Sequence, residues 1–154
     1  MITPDSLNAV ADFHRTFHAP VLDTPQIPSA ARCGLRVALL AEELDELREA
    51  IAANDLVAVA DALCDLQYVL AGAVLEFGLG NQFKALFDEV QRSNMSKACL
   101  TVDEAEATVA QYTAKGVPCH YVESEGRYLV FRDADHKTLK SVGYSPANLA
   151  ELLA

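Results

Sequence analysis

Apolar side chains recur along this chain at steps of three and four, and the places where that rhythm starts and stops divide it into helices. Leu7, Val10, Phe13 and Phe17 mark one face of a helix from Ser6 to Phe17, opened by Asp5 or Ser6 as its cap. Three prolines between His18 and Pro28 predict an ordered or semi-rigid loop. Ser29 then caps a long helix to about Ala53, with Leu35, Leu39, Leu40, Leu44, Leu47 and Ile51 on its apolar stripe. Asn54-Asp55 breaks the pattern and caps a third helix from about Leu56 to Phe77, closed by Gly78 and Gly80. A fourth, from about Asn81 to Ser93, presents Phe83, Leu86, Phe87 and Val90 on one side.

The rhythm changes after Cys99. Thr101-Val-Asp-Glu104 has the form of a capping box and predicts a helix to about Lys115, ended by Gly116. Val117–Glu123 and Arg127–Arg132 read as strands joined by the turn Ser124-Glu125-Gly126. A polar loop with Lys137 and Lys140 leads to a last short helix from Pro146, a residue suited to a helix's first turn. The expected architecture is mainly α. A helical core occupies residues 1–99, and a small α+β extension, helix plus β-hairpin, occupies 100–154 within the same domain.

Bulk chemistry narrows the partners. The chain has 154 residues, 51 % apolar and 22 % charged, as expected of a globular protein with a substantial core. Its formal net charge of −10 argues against general binding of nucleic acid or an anionic membrane, both of which call for basic patches. A phosphate-bearing small molecule stays open, because a bound dication inverts the local field. Cys33, Cys64, Cys99 and Cys119 are widely spaced, which suggests neither a structural zinc site nor a disulfide framework. The N-terminus has no basic region followed by an apolar run, so the chain is expected in the cytoplasm. Val57–Leu79 is long enough to suggest a membrane span, but Asp61, Asp65 and Glu76 speak against one.

Those carboxylates are the most informative feature of the sequence. Glu42-Glu43-Leu44-Asp45-Glu46 lies on the second predicted helix and Asp61-Ala62-Leu63-Cys64-Asp65 on the third. Glu43 and Glu46 are three apart, Glu42 and Glu46 four apart, and Asp61 and Asp65 four apart, so each set shares a helix face. The first string alone could be a solvated face. The second sits in a stretch so apolar that burial is expected, and a buried carboxylate must be paired or coordinate a metal. Two antiparallel helices could aim both sets at one point. Oxygen-only ligands favour Mg²⁺, with Mn²⁺ also suitable. His14 and His18 also share a face, and are either ligands or ordinary core and surface histidines.

The arrangement EExxE on one helix and an acidic pair on the next resembles the all-α nucleoside triphosphate pyrophosphohydrolases, the MazG-like superfamily that includes phosphoribosyl-ATP pyrophosphohydrolases. Further segments resemble one branch of it: Asp61-Ala-Leu-Cys-Asp65-Leu-Gln-Tyr68-Val, Glu89-Val-Gln-Arg92-Ser-Asn94-Met-Ser-Lys97, Asp135-His-Lys137-Thr-Leu-Lys140-Ser-Val-Gly-Tyr144-Ser-Pro, and Asp12-Phe13-His14 near the start. The likeness runs from about residue 10 to 150, interrupted by the Thr101–Arg132 insert.

The resemblance implies a MazG-like bundle that hydrolyses a nucleoside triphosphate to monophosphate and pyrophosphate, as house-cleaning of non-standard or excess nucleotides. It implies Glu43, Glu46 and Asp65 as metal ligands, Asp61 as the fourth, and Glu42 as a further ligand or the base that orients water. The commoner family pattern has Glu where this chain has Ala62, and Asp61 lies about 100° round the helix from it. Asn94 and Lys97 are implied as substrate contacts. Lys137, Lys140 and Tyr144 form either a lid over the phosphates or a solvated loop. Tyr68 either stacks on the nucleotide or packs in the bundle, and Arg92 either contacts substrate or pairs with Glu89. The third helix needs more cover than one chain supplies, so a homodimer or homotetramer is expected. Two alternatives remain open: phosphoribosyl-ATP hydrolysis, and a non-catalytic nucleotide-binding or oligomerisation module.

Overall fold

The computed structural model describes residues 4–153 and divides the chain into a unit that ends at Phe83 and one that begins at Lys84. The fold is mainly helical, as its periodicity predicts. The order is α1 (Ser6–Thr16), α2 (Ala30–Ala52), α3 (Leu56–Glu76), α4 (Phe83–Met95), α5 (Val102–Ala114), β1 (Cys119–Ser124), β2 (Arg127–Arg132) and α6 (Leu149–Leu153).

In the first unit α2 and α3 form a helical hairpin and α1 packs on α3. Side-chain caps define the hairpin ends. The Ser29 hydroxyl accepts from Arg32 N–H, and the Asp55 carboxylate accepts from Val57 and Ala58 N–H, quenching donors that a helix start leaves unpaired. Asn54, with φ of 54°, makes the tight reversal between the two helices. The Asp5 side chain caps no α1 amide; it accepts from Asn8 instead. The loop before α2 lies across the end of α3. Leu22 N–H donates to Leu75 C=O and Gln26 N–H to Phe77 C=O, each at 3.0 Å. Gly78 closes α3 at φ +70°, and a Cβ there would meet Thr24 O at 1.9 Å, so this position takes only glycine.

The core of this unit is small: Val10, Ala11, Ala71 and Leu75, with Leu7 and Val21 against it. Only 22 % of the most apolar eighteen residues of α3 is buried. Asp61 and Asp65 are exposed, which corrects the expectation that the apolar helix buries them. Apolar composition signals that a face needs cover, but not whether the same chain provides it.

In the second unit α5 packs on an antiparallel β1–β2 hairpin whose register pairs Cys119 with Arg132 and Ser124 with Arg127. Glu125 and Gly126, both at positive φ, make the two-residue turn. Thr101 Oγ1 accepts from Glu104 N–H, while Glu104 reaches back to Leu100 N–H at 2.8 Å, a capping box shifted by one residue. Cys99, Ala105, Val130 and Leu139 form the core. The contact boundary falls at 83/84, and α4 is tied to the C-terminal segment. Ser93 bonds Tyr144, Ser96 bonds Ser145, Arg92 bonds Pro146 C=O, and Glu89 accepts from Asn148 N–H. The last helix begins at Leu149, three residues later than Pro146 suggests, and is one short turn.

Candidate active site

Facing turns of α2 and α3 carry the two acidic strings. Glu43 and Asp65 line one cleft, of about 380 Å³, with Phe13, His14, Arg36 and Tyr68. Glu46 and Asp61 line another, of about 400 Å³, with Glu49 and Asp55. Glu43 is the least exposed of the five carboxylates singled out. Its pKa is raised above the ordinary 4.5, first by burial and then by the charges of Glu46, Asp65, Glu42 and Asp61. Glu43 therefore feels the charge of carboxylates on both its own helix and the facing one. As they stand, no three His, Cys, Asp or Glu side chains among the described residues are close enough to hold a metal ion. The donor chemistry nevertheless fits a hard divalent cation: oxygen-only ligands, crowded enough to raise the pKa of one of them.

Behind the acidic cleft lies a charge network that sequence reading missed. Glu76, 1 % exposed, accepts from Arg36 Nε at 2.8 Å and Arg32 Nε at 2.9 Å, and both guanidinium Nη2 groups also donate to it. Burial opposes ionisation of Glu76, but the two arginines outweigh it and hold its pKa below the usual carboxylate value. His14, also buried, donates from Nδ1 to Pro20 C=O at 2.8 Å, which leaves Nε2 to accept from Arg36 Nη2 at 3.4 Å. It is thus a core histidine that positions Arg36. Gly72 makes room for this pair: a Cβ there would lie 2.7 Å from Arg36 Nη1 and 3.0 Å from His14 Nε2. The available signal was Glu76 in an apolar helix, with Arg32 and Arg36 four apart on the preceding one.

Tyr68 lines the same cleft as Asp65 and meets Phe13 edge-on, with ring centroids 5.6 Å apart. The remaining candidates belong to the second unit. Lys140 Nζ lies over the Tyr144 ring, 4.2 Å from its centroid. The Tyr144 phenol accepts from Ser93 Oγ, and that bond, with the charges of Lys140 and Lys97, lowers its pKa. Lys97 Nζ donates to Asn94 Oδ1 at 2.8 Å. Lys140, Lys97, Asn94 and Tyr144 are thereby neighbours. Arg92 is committed to Glu89 and Pro146, and Lys137 is exposed beside Asp135.

A helical hairpin with five interacting carboxylates on facing turns belongs to the all-α class of pyrophosphate-cleaving hydrolases. Residues 10–94 match the family model of phosphoribosyl-ATP pyrophosphohydrolase, and the chain belongs to that family, within the MazG-like superfamily. Among curated proteins, the uncharacterized protein L479 of Acanthamoeba polyphaga mimivirus is 35 % identical over 81 residues, covering 49 % of this chain and 32 % of that protein. The chain thus matches about a third of that relative's length.

Proposed function

We propose that this pyrophosphohydrolase hydrolyses a nucleoside triphosphate to the monophosphate and pyrophosphate, clearing non-standard or excess nucleotides. The carrying observation is that α2 and α3 bring Glu43 beside Asp65 and Glu46 beside Asp61, with the half-buried Glu43 raised in pKa by its own burial and by the carboxylates around it. Glu43, Glu46, Asp65 and Asp61 would hold Mg²⁺, or Mn²⁺ in its place. A cation bound there supplies neutralisation of the phosphates and a lowered pKa for a bound water. Glu42 orients the attacking water and takes its proton. The water oxygen bonds to one phosphorus of the α,β-anhydride, the bridging P–O bond breaks, and the bond's electron pair leaves on the departing phosphate. Within the second unit, Asn94, Lys97, Lys140 and Tyr144 form their own cluster of groups suited to phosphate oxygens, whereas Arg92 is engaged by Glu89 and Lys137 is exposed beside Asp135. Tyr68, beside Asp65, meets the nucleoside.

The family model favours a second reading, in which phosphoribosyl-ATP is the substrate. Incubation with each (d)NTP, and separately with phosphoribosyl-ATP, in Mg²⁺ should release pyrophosphate from the true substrate. Glu46→Ala or Asp65→Ala should cut turnover by at least about 100-fold, the upper range for losing even an outer metal partner. Turnover of phosphoribosyl-ATP alone would select the second reading. If no substrate turns over, and neither variant changes nucleotide binding, the chain is instead a non-catalytic module.

The apolar face of α3 is assigned to a second copy of the chain, in a homodimer or homotetramer. Leu56 and Val57 are each 80 % exposed and Leu63 and Leu70 about half, along a helix with few charges. All four cysteines are free, which suits a reducing, cytoplasmic setting.

A further inference from the structure

Unlike the carboxylate hairpin, the β-hairpin unit carries nitrogen donors. We propose that His120 and His136 form a two-point site for a borderline transition-metal ion such as Zn²⁺, with Asp133 orienting His120 from behind.

The register places His120 on β1 opposite Phe131, and its Nδ1 lies 2.7 Å from Asp133 Oδ1, just past the end of β2. An ionised carboxylate only accepts, so Nδ1 carries the proton and the Nε2 lone pair points away from Asp133. A carboxylate behind a ligating imidazole fixes its tautomer and raises its basicity. His136 follows in the next turn at φ 54°, held there by its N–H donating to Arg132 C=O at 2.9 Å. Its ring lies edge-on to that of His120, with centroids 6.2 Å apart and planes at 84°. Both rings are exposed.

With metal–nitrogen bonds of about 2.0–2.1 Å, two imidazoles on one tetrahedral ion have centroids roughly 5 Å apart. The rings must therefore close by about 1 Å, within reach of side-chain rotation for exposed histidines. Arg132, at the end of β2, is bidentate to Asp135, at 2.8 Å and 2.5 Å, so its charge is already answered. Water would complete the shell. Imidazole donors favour Zn²⁺, Ni²⁺ or Cu²⁺, whereas carboxylates favour Mg²⁺, so the two units would sort cations by ligand chemistry. Bound metal would clip the Asp133–His136 turn to β1.

The test is calorimetric titration of the full chain with Zn²⁺ under saturating Mg²⁺, followed by imidazole ¹⁵N shifts. The expected result is one saturable Zn²⁺ site per chain, with His120 Nε2 and one His136 nitrogen shifting. His120→Ala and His136→Ala should each weaken it at least about tenfold, and Asp133→Asn by about tenfold, the range for an outer partner. Glu46→Ala should leave it intact, which separates this site from the carboxylates. Undiminished affinity in the His120→Ala/His136→Ala double variant, or unshifted imidazole nitrogens at saturation, would overturn the assignment, as would the absence of saturable binding.

Discussion

Arg36 donates its Nε–H to Glu76 at 2.8 Å, joining α2 to α3 across 40 residues of sequence with both side chains buried. A buried carboxylate is tolerated because two guanidiniums answer it, and removing one side of such a network strands the other. Glu76→Gln should therefore lower unfolding stability by about 3–5 kcal/mol, the range for breaking a buried pair. Urea unfolding would check this, since the midpoint should fall with little change in slope.

Gly72 gives a sharper variant. Glycine to alanine inside a helix ordinarily stabilises by about 0.5–1 kcal/mol. Here the new methyl would meet Arg36 Nη1 at 2.7 Å, and Glu76 holds that guanidinium in place. The sign should reverse, with Gly72→Ala costing about 1–3 kcal/mol. Thermal melts of Gly72→Ala and of an exposed control, Gly34→Ala, where a Cβ meets nothing, should move in opposite directions.

Glu43 links the site to pH. Its folded pKa is raised above 4.5, so the native state holds more proton than the unfolded chain across the window just above that value. Its contribution to stability therefore falls as pH rises through the window, and the penalty is complete above it. Metal-free Glu43→Gln should melt higher than wild type at about pH 7 and close to it at about pH 4, below the ordinary carboxylate pKa. Melting curves at the two pH values decide the matter. An equal shift at both would mean the charge is not responsible.

Glu89 runs the other way. Arg92 and the Asn148 N–H hold its carboxyl down at about 2. The tether to the C-terminal segment should be intact above the ordinary 4.5 and loosen only as pH falls through about 2. The Asn148 amide resonance should titrate with that low midpoint, and Arg92→Ala should move the midpoint back up.

The exposed face of α3 should show itself as concentration dependence. Val57→Lys or Leu63→Lys should shift the protein toward smaller species in light scattering, and the wild-type melting temperature should rise with protein concentration. Variants that leave the mass unchanged would exclude this face from the interface.

The helices were legible because their signals are local. Ser29, Asp55 and Thr101 cap where their side chains suggest, and the Ser124-Glu125-Gly126 turn joins the two strands. The acidic strings were legible for the same reason, since three- and four-residue spacing fixes a shared face. Arg32, Arg36 and Glu76 were not, because their partnership spans 40 and more residues and depends on how two helices register. The exposure of Asp61 and Asp65 was also hidden, since composition cannot name the molecule that covers a greasy helix. Nor did Pro146 mark a helix start: the chain there is held by Arg92 instead.

The carboxylates around Glu43 also make the site a proton exchanger. These neighbours favour the protonated form of Glu43 more than a free side chain would, so a dication arriving among them competes with a proton. Acid would therefore unload the site. The nucleotide chemistry proposed for this chain would then fade on acidification through loss of its ion.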